Sequence, residues 1–369
     1  MKYYTKTHKY TCGIDLHKNN LYLCIEDKEG KKLLHRRIKN CEREFKRVIS
    51  PYRDDVVVSV ESTFNWYWLG DLCRKEGITF VLGHALYMKS IHQGKTKNDR
   101  VDSEKIMKLT ASRMLPVSYV YPEEMRKVRD LMRRRMYFVR QRAALKGHVK
   151  IVAAQYNIEI EGIEGSGVKS RTAIVENFKD QDLKESIECD LNTSVYFDSV
   201  VTRLERYILK RVKCQDDENF MLLRSIPGIG AVLGLTILYE MHQLKRFPQC
   251  QDFMSYSRLV GTQRTTNDKP VGKQGRKIGN PYLKWAFSEA SVHMARVSGE
   301  VNLYVELLTK RYGKAGAWSR LSQKIARTVY YMLKHKKPFS MERFLENSKE
   351  VIESCRSLEP SKEVAMVID

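Results

Sequence analysis

Four carboxylates in this chain stand where an acid needs a chemical reason. Asp15 closes the apolar run in "CGIDLHK", and Glu61 ends the β-branched run in "VVVSVES". An acid at the end of an otherwise apolar strand is costly unless it is paired or bound to metal. Asp99 and Asp102 fall in "NDRVDSEKIMKL", which reads as a helix beginning near Asn98, so at i and i+3 they share one helix face. Taken singly, each is an ordinary structural or solvated charge. Taken together, each at the end of an element, they form a set of oxygen ligands for a divalent cation. Mg2+ prefers oxygen and bridges carboxylates to phosphate.

The rest of the chain agrees with a phosphate-bearing partner. Its 369 residues allow two or three domains, and 66 Lys and Arg against 44 Asp and Glu leave a net charge of +22. Such an excess attracts polyanions, nucleic acid first among them. Binding should then be steeply salt-dependent: neutralising six phosphates implies a loss of roughly 10³-fold in affinity between about 50 and 200 mM salt. A membrane partner is not expected, because no run approaches the ~18 apolar residues of a span. No secretory signal is recognisable in "MKYYTKTHKYTCGIDLHK". Eight scattered cysteines without a C-x-x-C pair read as reduced thiols in a cytoplasmic protein, with neither a zinc site nor a disulfide framework.

The elements that must position the acids can be read in turn. Residues 10–40 hold two apolar runs joined across "HKNN" and a third after the turn "KEGK". A buried strand in "DDVVVSVEST", a helix in "NWYWLGDLCRKEG" and a short strand in "ITFVLG" complete a mixed sheet with helices packed on it, over residues 1–121. From Pro122 the text turns helical. Between Pro122 and Val152 there are ten Lys and Arg against three acids, whereas 153–198 carries ten acids against four bases. The surplus of cations favours phosphate contact by the first helix, and the acids argue against it for the segment that follows. A second long helix over about 181–213 makes 122–217 either a coiled-coil arm or an ordinary helical bundle.

Residues 218–347 read as a helical domain and 348–369 as a tail. In "LLRSIPGIGAVLGLTILYEM", Gly228 and Gly230 lie between two apolar helices, as in a helix-hairpin-helix turn or a plain tight turn. The segment 261–285 reads as a polar, Gly-rich loop entering a helix, with too few apolar residues for a strand. Tyr282, Trp285, Trp318, Tyr330 and Tyr331 have base-stacking faces, although their helical spacing favours core packing.

Strand Asp, strand Glu and two helical Asp also resemble the ribonuclease-H-like layout of two-metal nucleases. "GIDLHK", "VEST-NWYWLGDL", "GKTKNDRVDSEKIMKL", "IPGIG", "YSRLVGTQ…GRKIGNPYLKWAFSEAS" and "KIARTVYYMLK", in that order over roughly residues 10–345, resemble the one-ten family of bacterial insertion-sequence transposases, relatives of the pilin-inverting recombinases. The resemblance implies an N-terminal RuvC-like DEDD domain, a coiled-coil arm and a C-terminal transposase domain. It implies an Mg2+-dependent DNA recombinase that works with a structured bridge RNA pairing with donor and target DNA, in a homo-oligomer, dimer or tetramer. Its metal quartet falls on Asp15, Glu61, Asp99 and Asp102.

In the family a serine attacks the DNA phosphate, some thirteen residues before the glycine of "IGN". Counting back from Gly279, this chain has Thr266, with Thr265 beside it and Asp268 where the family often has glycine. A threonine hydroxyl is a competent nucleophile, but its methyl group restricts χ1 and crowds the approach. Arg264, Lys269, Lys273, Arg276 and Lys277 would grip the backbone near the cut. Two functions follow: a transposase with Thr266 as nucleophile, or a transposase-derived, RNA-guided nucleic-acid-binding protein that no longer exchanges strands. A plain RuvC-like hydrolase is the third alternative.

Overall fold

The computed structural model describes residues 2–91, 98–163, 165, 167–212, 218–266, 269–274 and 278–346. The chain divides into two compact units, Met1–Glu124 and Met125–Asp369.

The first unit is built on a five-stranded mixed sheet. β1 (Tyr10–Leu16), β2 (Asn20–Asp27) and β3 (Lys32–Lys39) form an antiparallel meander. There follow α1 (Glu42–Ile49), β4 (Val56–Glu61), α2 (Tyr67–Lys75), β5 (Thr79–Gly83), α3 (Ala85–Ile91) and α4 (Asp99–Ala111). The order is β3-β2-β1-β4-β5, with β4 parallel to β1 and β5 parallel to β4. Side chains alternate between the faces of a strand. Cys12, Ile14, Val58 and Val60 pack with Phe45, Leu69 and Leu72 of α1 and α2. Val57 packs with Ile106 and Leu109 of α4. Gly13, Asp15, Ser59 and Glu61 therefore project on the α4 side.

Gly13 sets how closely α4 can lie. A Cβ at this position would sit 2.2 Å from the Met107 nitrogen and 2.4 Å from the Ser103 oxygen. Gly13→Ala is expected to push the helix off the sheet at a cost of about 1–3 kcal/mol. It should also weaken divalent-cation binding although it removes no ligand; thermal unfolding and a Mn2+ titration of the same variant check both. At its start α4 is capped by Asn98, whose Oδ1 accepts from the Val101 N–H at 2.8 Å, and His35 Nε2 donates to the Arg100 carbonyl at 3.0 Å. Glu104 pins the helix to β3 through Lys32, 2.9 Å away; hydrogen bonds from Lys108 and Lys32 hold its carboxyl down at about 2.

The helical remainder comprises α5 (Glu123–Gln155), α6 (Val168–Glu176), α7 (Gln181–Val212), α8 (Glu218–Arg224), α9 (Ala231–Met241) and α10 (Cys250–Tyr256). After the strands β6 (Thr262–Thr266) and β7 (Lys269–Gln274) come α11 (Pro281–Val297), α12 (Gly299–His335) and α13 (Met341–Leu345). α5 and α7 run antiparallel, joined by the Arg135–Glu205 and Arg142–Asp198 ion pairs, by the His148–Asp190 hydrogen bond and by Phe138 against Phe197. At one end Val128 and Met132 with Ile208 and Val212 join the core of α9, α11 and α12. At the other, Val149 and Val152 with Ile187 and Leu191 form a separate core completed by Ile174 and Phe178. Periodicity alone leaves arm and bundle open; the pairing shows two long antiparallel helices with an apolar core at each end.

The reading of 261–285 as a loop needs correction. β6 and β7 pair as an antiparallel hairpin with a register shift between Arg264 and Thr265, and Thr266 faces Lys269. A two-stranded ribbon needs no apolar face. Its described side chains, Thr266, Lys269 and Val271, are exposed, and its threonines and Val271 supply β-branched propensity without hydrophobic alternation. The residues of the expected tail, 348–369, lie outside the described residues. No helix among the described residues is long and apolar enough to cross a membrane. The six described cysteines are free. Burial pushes the Cys73 thiol up to about 12 and the Cys24 thiol to about 11, which makes both poor nucleophiles.

Candidate metal centre and nucleic-acid interface

Asp15 stands one step beyond the parallel pair Ile14↔Val60, so it lies opposite Glu61 at the same end of the sheet. Both are half-buried and on the α4 side. Asp99 and Asp102 occupy the first turn of α4, where the helix dipole favours acids in any case. His17, two residues along from Asp15, bridges the two elements. Its Nε2 lies 3.1 Å from Asp15 Oδ2 and 3.2 Å from Asp99 Oδ1. The donor atoms of Asp15, His17 and Asp99 all fall within 4.8 Å of one another. Asp102 turns one oxygen to Lys105 Nζ at 3.3 Å. Glu61 is placed by strand register and is not a member of the close trio.

Asp15 carries the electrostatic signature of the site. Burial raises its pKa above the ordinary carboxylate range; the charge and hydrogen bond of His17 oppose the shift, and the charges of Asp99 and Asp102 add to it. Two carboxylates and an imidazole nitrogen within reach of one cation, with like charge crowding a half-buried acid, form a donor set that suits a divalent metal. His17 is absent from the acid-based reading. Its signal is the i, i+2 spacing in "DLH", which in extended backbone turns both side chains the same way, with His17 one residue beyond the end of β1.

In the second unit, Thr266 is exposed at the last position of β6. Lys269 begins β7 and is exposed, whereas Arg264 and Lys273 are placed as backbone positions of the hairpin. Arg276, Lys277 and Asp268 lie outside the described residues. Gly228 has φ of 86°, and a Cβ there would sit 2.5 Å from the Met294 nitrogen. Its close approach is thus to the backbone of α11, within the chain's own fold. Gly230 is the N-cap of α9 and is exposed, with nothing within 4 Å of where its Cβ would be. Of the aromatic residues, Tyr330 is buried, Trp285 and Trp318 pack against the core, and Tyr282 lies under the Arg133 guanidinium at 4.4 Å. Tyr331 is the exception, at 47 % exposure.

A buried joint ties these parts together. Glu240 on α9 is 1 % exposed. It accepts from Arg129 Nε at 2.8 Å, from Arg133 Nε at 2.6 Å and from Asn280 Nδ2 at 2.7 Å. Asn280 also caps α11 through the Tyr282 and Leu283 N–H groups. One carboxylate therefore connects α5, α9 and the start of α11.

Comparison with known proteins gives concordant matches on both units. Residues 12–158 match the profile of the DEDD transposases of IS110 type, described as a transposase. Residues 221–306 match that of the transposase IS116/IS110/IS902 family. The chain is 23% identical over 336 residues to the transposase for insertion sequence element IS1328 of Yersinia enterocolitica, covering 86% of this chain and 95% of that protein. It is 21% identical over 343 residues to the transposase for insertion sequence element IS1111A of Coxiella burnetii (strain RSA 493 / Nine Mile phase I), covering 87% and 88%.

Proposed function

We propose that the chain is an insertion-sequence transposase of the IS110 family, as its matches on both units support, and that it acts as an Mg2+-dependent DNA recombinase guided by a structured bridge RNA, with Thr266 in the place of the family's serine. The observation that carries this reading is the meeting of Asp15, His17 and Asp99 within 4.8 Å at the sheet end where Glu61 also lies. Asp15, Glu61, Asp99 and Asp102 would hold the cation in a RuvC-like site, with His17 as a further ligand or as the group that orients Asp15. A divalent cation bound there supplies neutralisation of the phosphate and of the leaving oxygen.

The chain's own residues do the rest. The Thr266 hydroxyl attacks phosphorus and loses its proton. A P–O bond forms to Oγ1, the bond to the leaving sugar oxygen breaks, and that oxygen takes up a proton. The product is a phosphothreonine link to one DNA end. Strand exchange is the reverse reaction with the hydroxyl of another end. Arg264, Lys269, Lys273, Arg276 and Lys277 would hold the strand near the cut, and the exposed start of α9 at Gly230 offers N–H groups to a backbone phosphate. A homo-oligomer, dimer or tetramer, would bring donor and target DNA together.

The test is a covalent adduct. Wild-type protein with its copurifying RNA, supercoiled donor and target DNA and Mg2+ is expected to form a denaturant-resistant protein–DNA link, and Thr266→Ala to form none. Thr266→Ser should raise the rate by up to about 10²-fold, because removing the methyl frees the attack geometry. A wild-type protein that binds RNA and both DNA partners but forms no link is the strand-transfer-deficient binding protein instead. Cutting that survives Thr266→Ala and disappears in Asp102→Ala marks a RuvC-like hydrolase. Sequencing the copurifying RNA tests the guide directly.

A further inference from the structure

The helices after α11 enclose a cleft that strand cleavage does not use. Gly313 interrupts α12 with φ of 72° and ψ of 163°, a conformation essentially confined to glycine. The residues before it, those after it and α13 surround a cavity of about 920 Å³, at the upper end of the ~300–1,000 Å³ typical of ligand clefts. Arg311, Arg320, Lys324, Arg327, Lys337 and Arg343 line it, and none of its lining residues is an aspartate or a glutamate.

Aromatic faces stand between the cations. The Arg320 guanidinium lies 3.6 Å from the centroid of the Tyr312 ring, and Lys324 Nζ lies 4.6 Å from that of Tyr304 and 5.0 Å from that of Phe344. Tyr331 stacks on His335 at 6.2 Å. Tyr312 and Tyr331 are 38 % and 47 % exposed. Core packing accounts for the neighbouring Tyr330, whose hydroxyl donates to the Phe247 and Pro248 carbonyls; it does not account for Tyr331. Burial lowers the pKa of Lys324, so an anion in the cleft would favour its charged form.

We propose that this cleft holds a stretch of single-stranded nucleic acid, its unpaired bases laid on Tyr312 and Tyr331 and its phosphates held by the surrounding arginines and Lys324. Exposed rings interleaved with cations are the pattern of sequence-tolerant single-strand binding, because every base has a face to stack. A duplex keeps its base faces inside and would engage the cations alone. An acidic protein partner would likewise leave the rings unused. The inference goes beyond the recombinase reading and does not depend on the carboxylate site.

Fluorescence anisotropy of the full-length protein in EDTA tests it, with labelled oligothymidine, oligouridine and a mixed-sequence duplex as probes. Tyr312→Ala and Tyr331→Ala should each weaken single-strand binding by about tenfold and duplex binding by less than about twofold, while Tyr331→Phe retains affinity. Both rings are exposed, so unchanged melting temperatures are expected. Tighter binding of oligouridine marks RNA as the occupant and tighter binding of oligothymidine marks DNA. The proposal is overturned if single-strand and duplex affinities fall together, or if neither tyrosine matters. With no divalent cation present, the outcome is independent of the adduct assay.

Discussion

Asn in place of Asp15 is expected to reduce Mg2+-dependent strand cleavage by roughly 10³-fold, the equivalent of about 4 kcal/mol of transition-state stabilisation, while raising the melting temperature of the metal-free protein at neutral pH. The two effects have one cause. Asp15 is half-buried beside Asp99 and Asp102, and burial, with those charges, raises its pKa. A carboxyl whose folded pKa lies above its unfolded value stabilises the fold below the unfolded pKa and loses that contribution as pH rises through the folded one. At neutral pH the charged form therefore opposes folding, and a divalent cation bound there would relieve it. Wild-type protein should be stabilised by Mg2+ at pH 7 and much less near pH 4. Asp15→Asn should show much less of the Mg2+ stabilisation and of its pH dependence. Thermal unfolding with and without Mg2+ at the two pH values checks this; equal Mg2+ stabilisation of both proteins would remove Asp15 from the site.

The second large effect is structural. Glu240→Ala is expected to destabilise the helical unit by about 3 kcal/mol, since it leaves two partly buried guanidinium groups without their shared carboxylate. For a unit of this size that is a fall of about 10 °C in melting temperature. Burial works to raise the pKa of Glu240, but the hydrogen bond from Arg133, the charges of Arg129 and Arg133 and the Asn280 amide outweigh it and hold the pKa below the ordinary range. The sign is opposite to that at Asp15: the contribution is present above the unfolded carboxylate pKa and is lost as pH falls through the lowered one. Wild type and Glu240→Ala should thus converge in stability in strong acid. Because Arg129 and Arg133 come from α5 and Asn280 starts α11, the attachment of α5 should loosen with the same substitution. Hydrogen exchange at the start of α5 and at the α11 N-cap is expected to rise before that of the α11–α12 core.

The first unit is legible from sequence because its central strands are buried on both faces. "VVVSVE" can be little else, and an acid at the end of such a run stands out. Asp99 and Asp102 are equally visible, since i and i+3 on a helix share a face whatever surrounds it. What escapes is set by contacts between elements. His17 joins the acids only once β1 and the start of α4 are brought together. Gly13 gains its role from α4 lying across it, and Gly228 from α11 rather than from a ligand. The β6–β7 hairpin lacks the apolar alternation that reveals a strand, because a solvated ribbon does not need it. The kink at Gly313 is hidden inside an otherwise regular helical text, and with it the cleft that leaves Tyr331 in solvent while Tyr330 is core.

The proposed site draws on acids spread from residue 15 to residue 102, so the central claim is that they share one cation. Mn2+ binding to the full-length protein, followed by electron paramagnetic resonance and competed with Mg2+, measures that directly. A shared pocket requires saturable, Mg2+-displaceable binding in wild type that weakens by about tenfold or more in each of Asp15→Asn, Glu61→Gln, Asp99→Asn and Asp102→Asn. Binding that is absent in wild type, or that is unchanged when Asp15 and Asp99 are replaced, would contradict it.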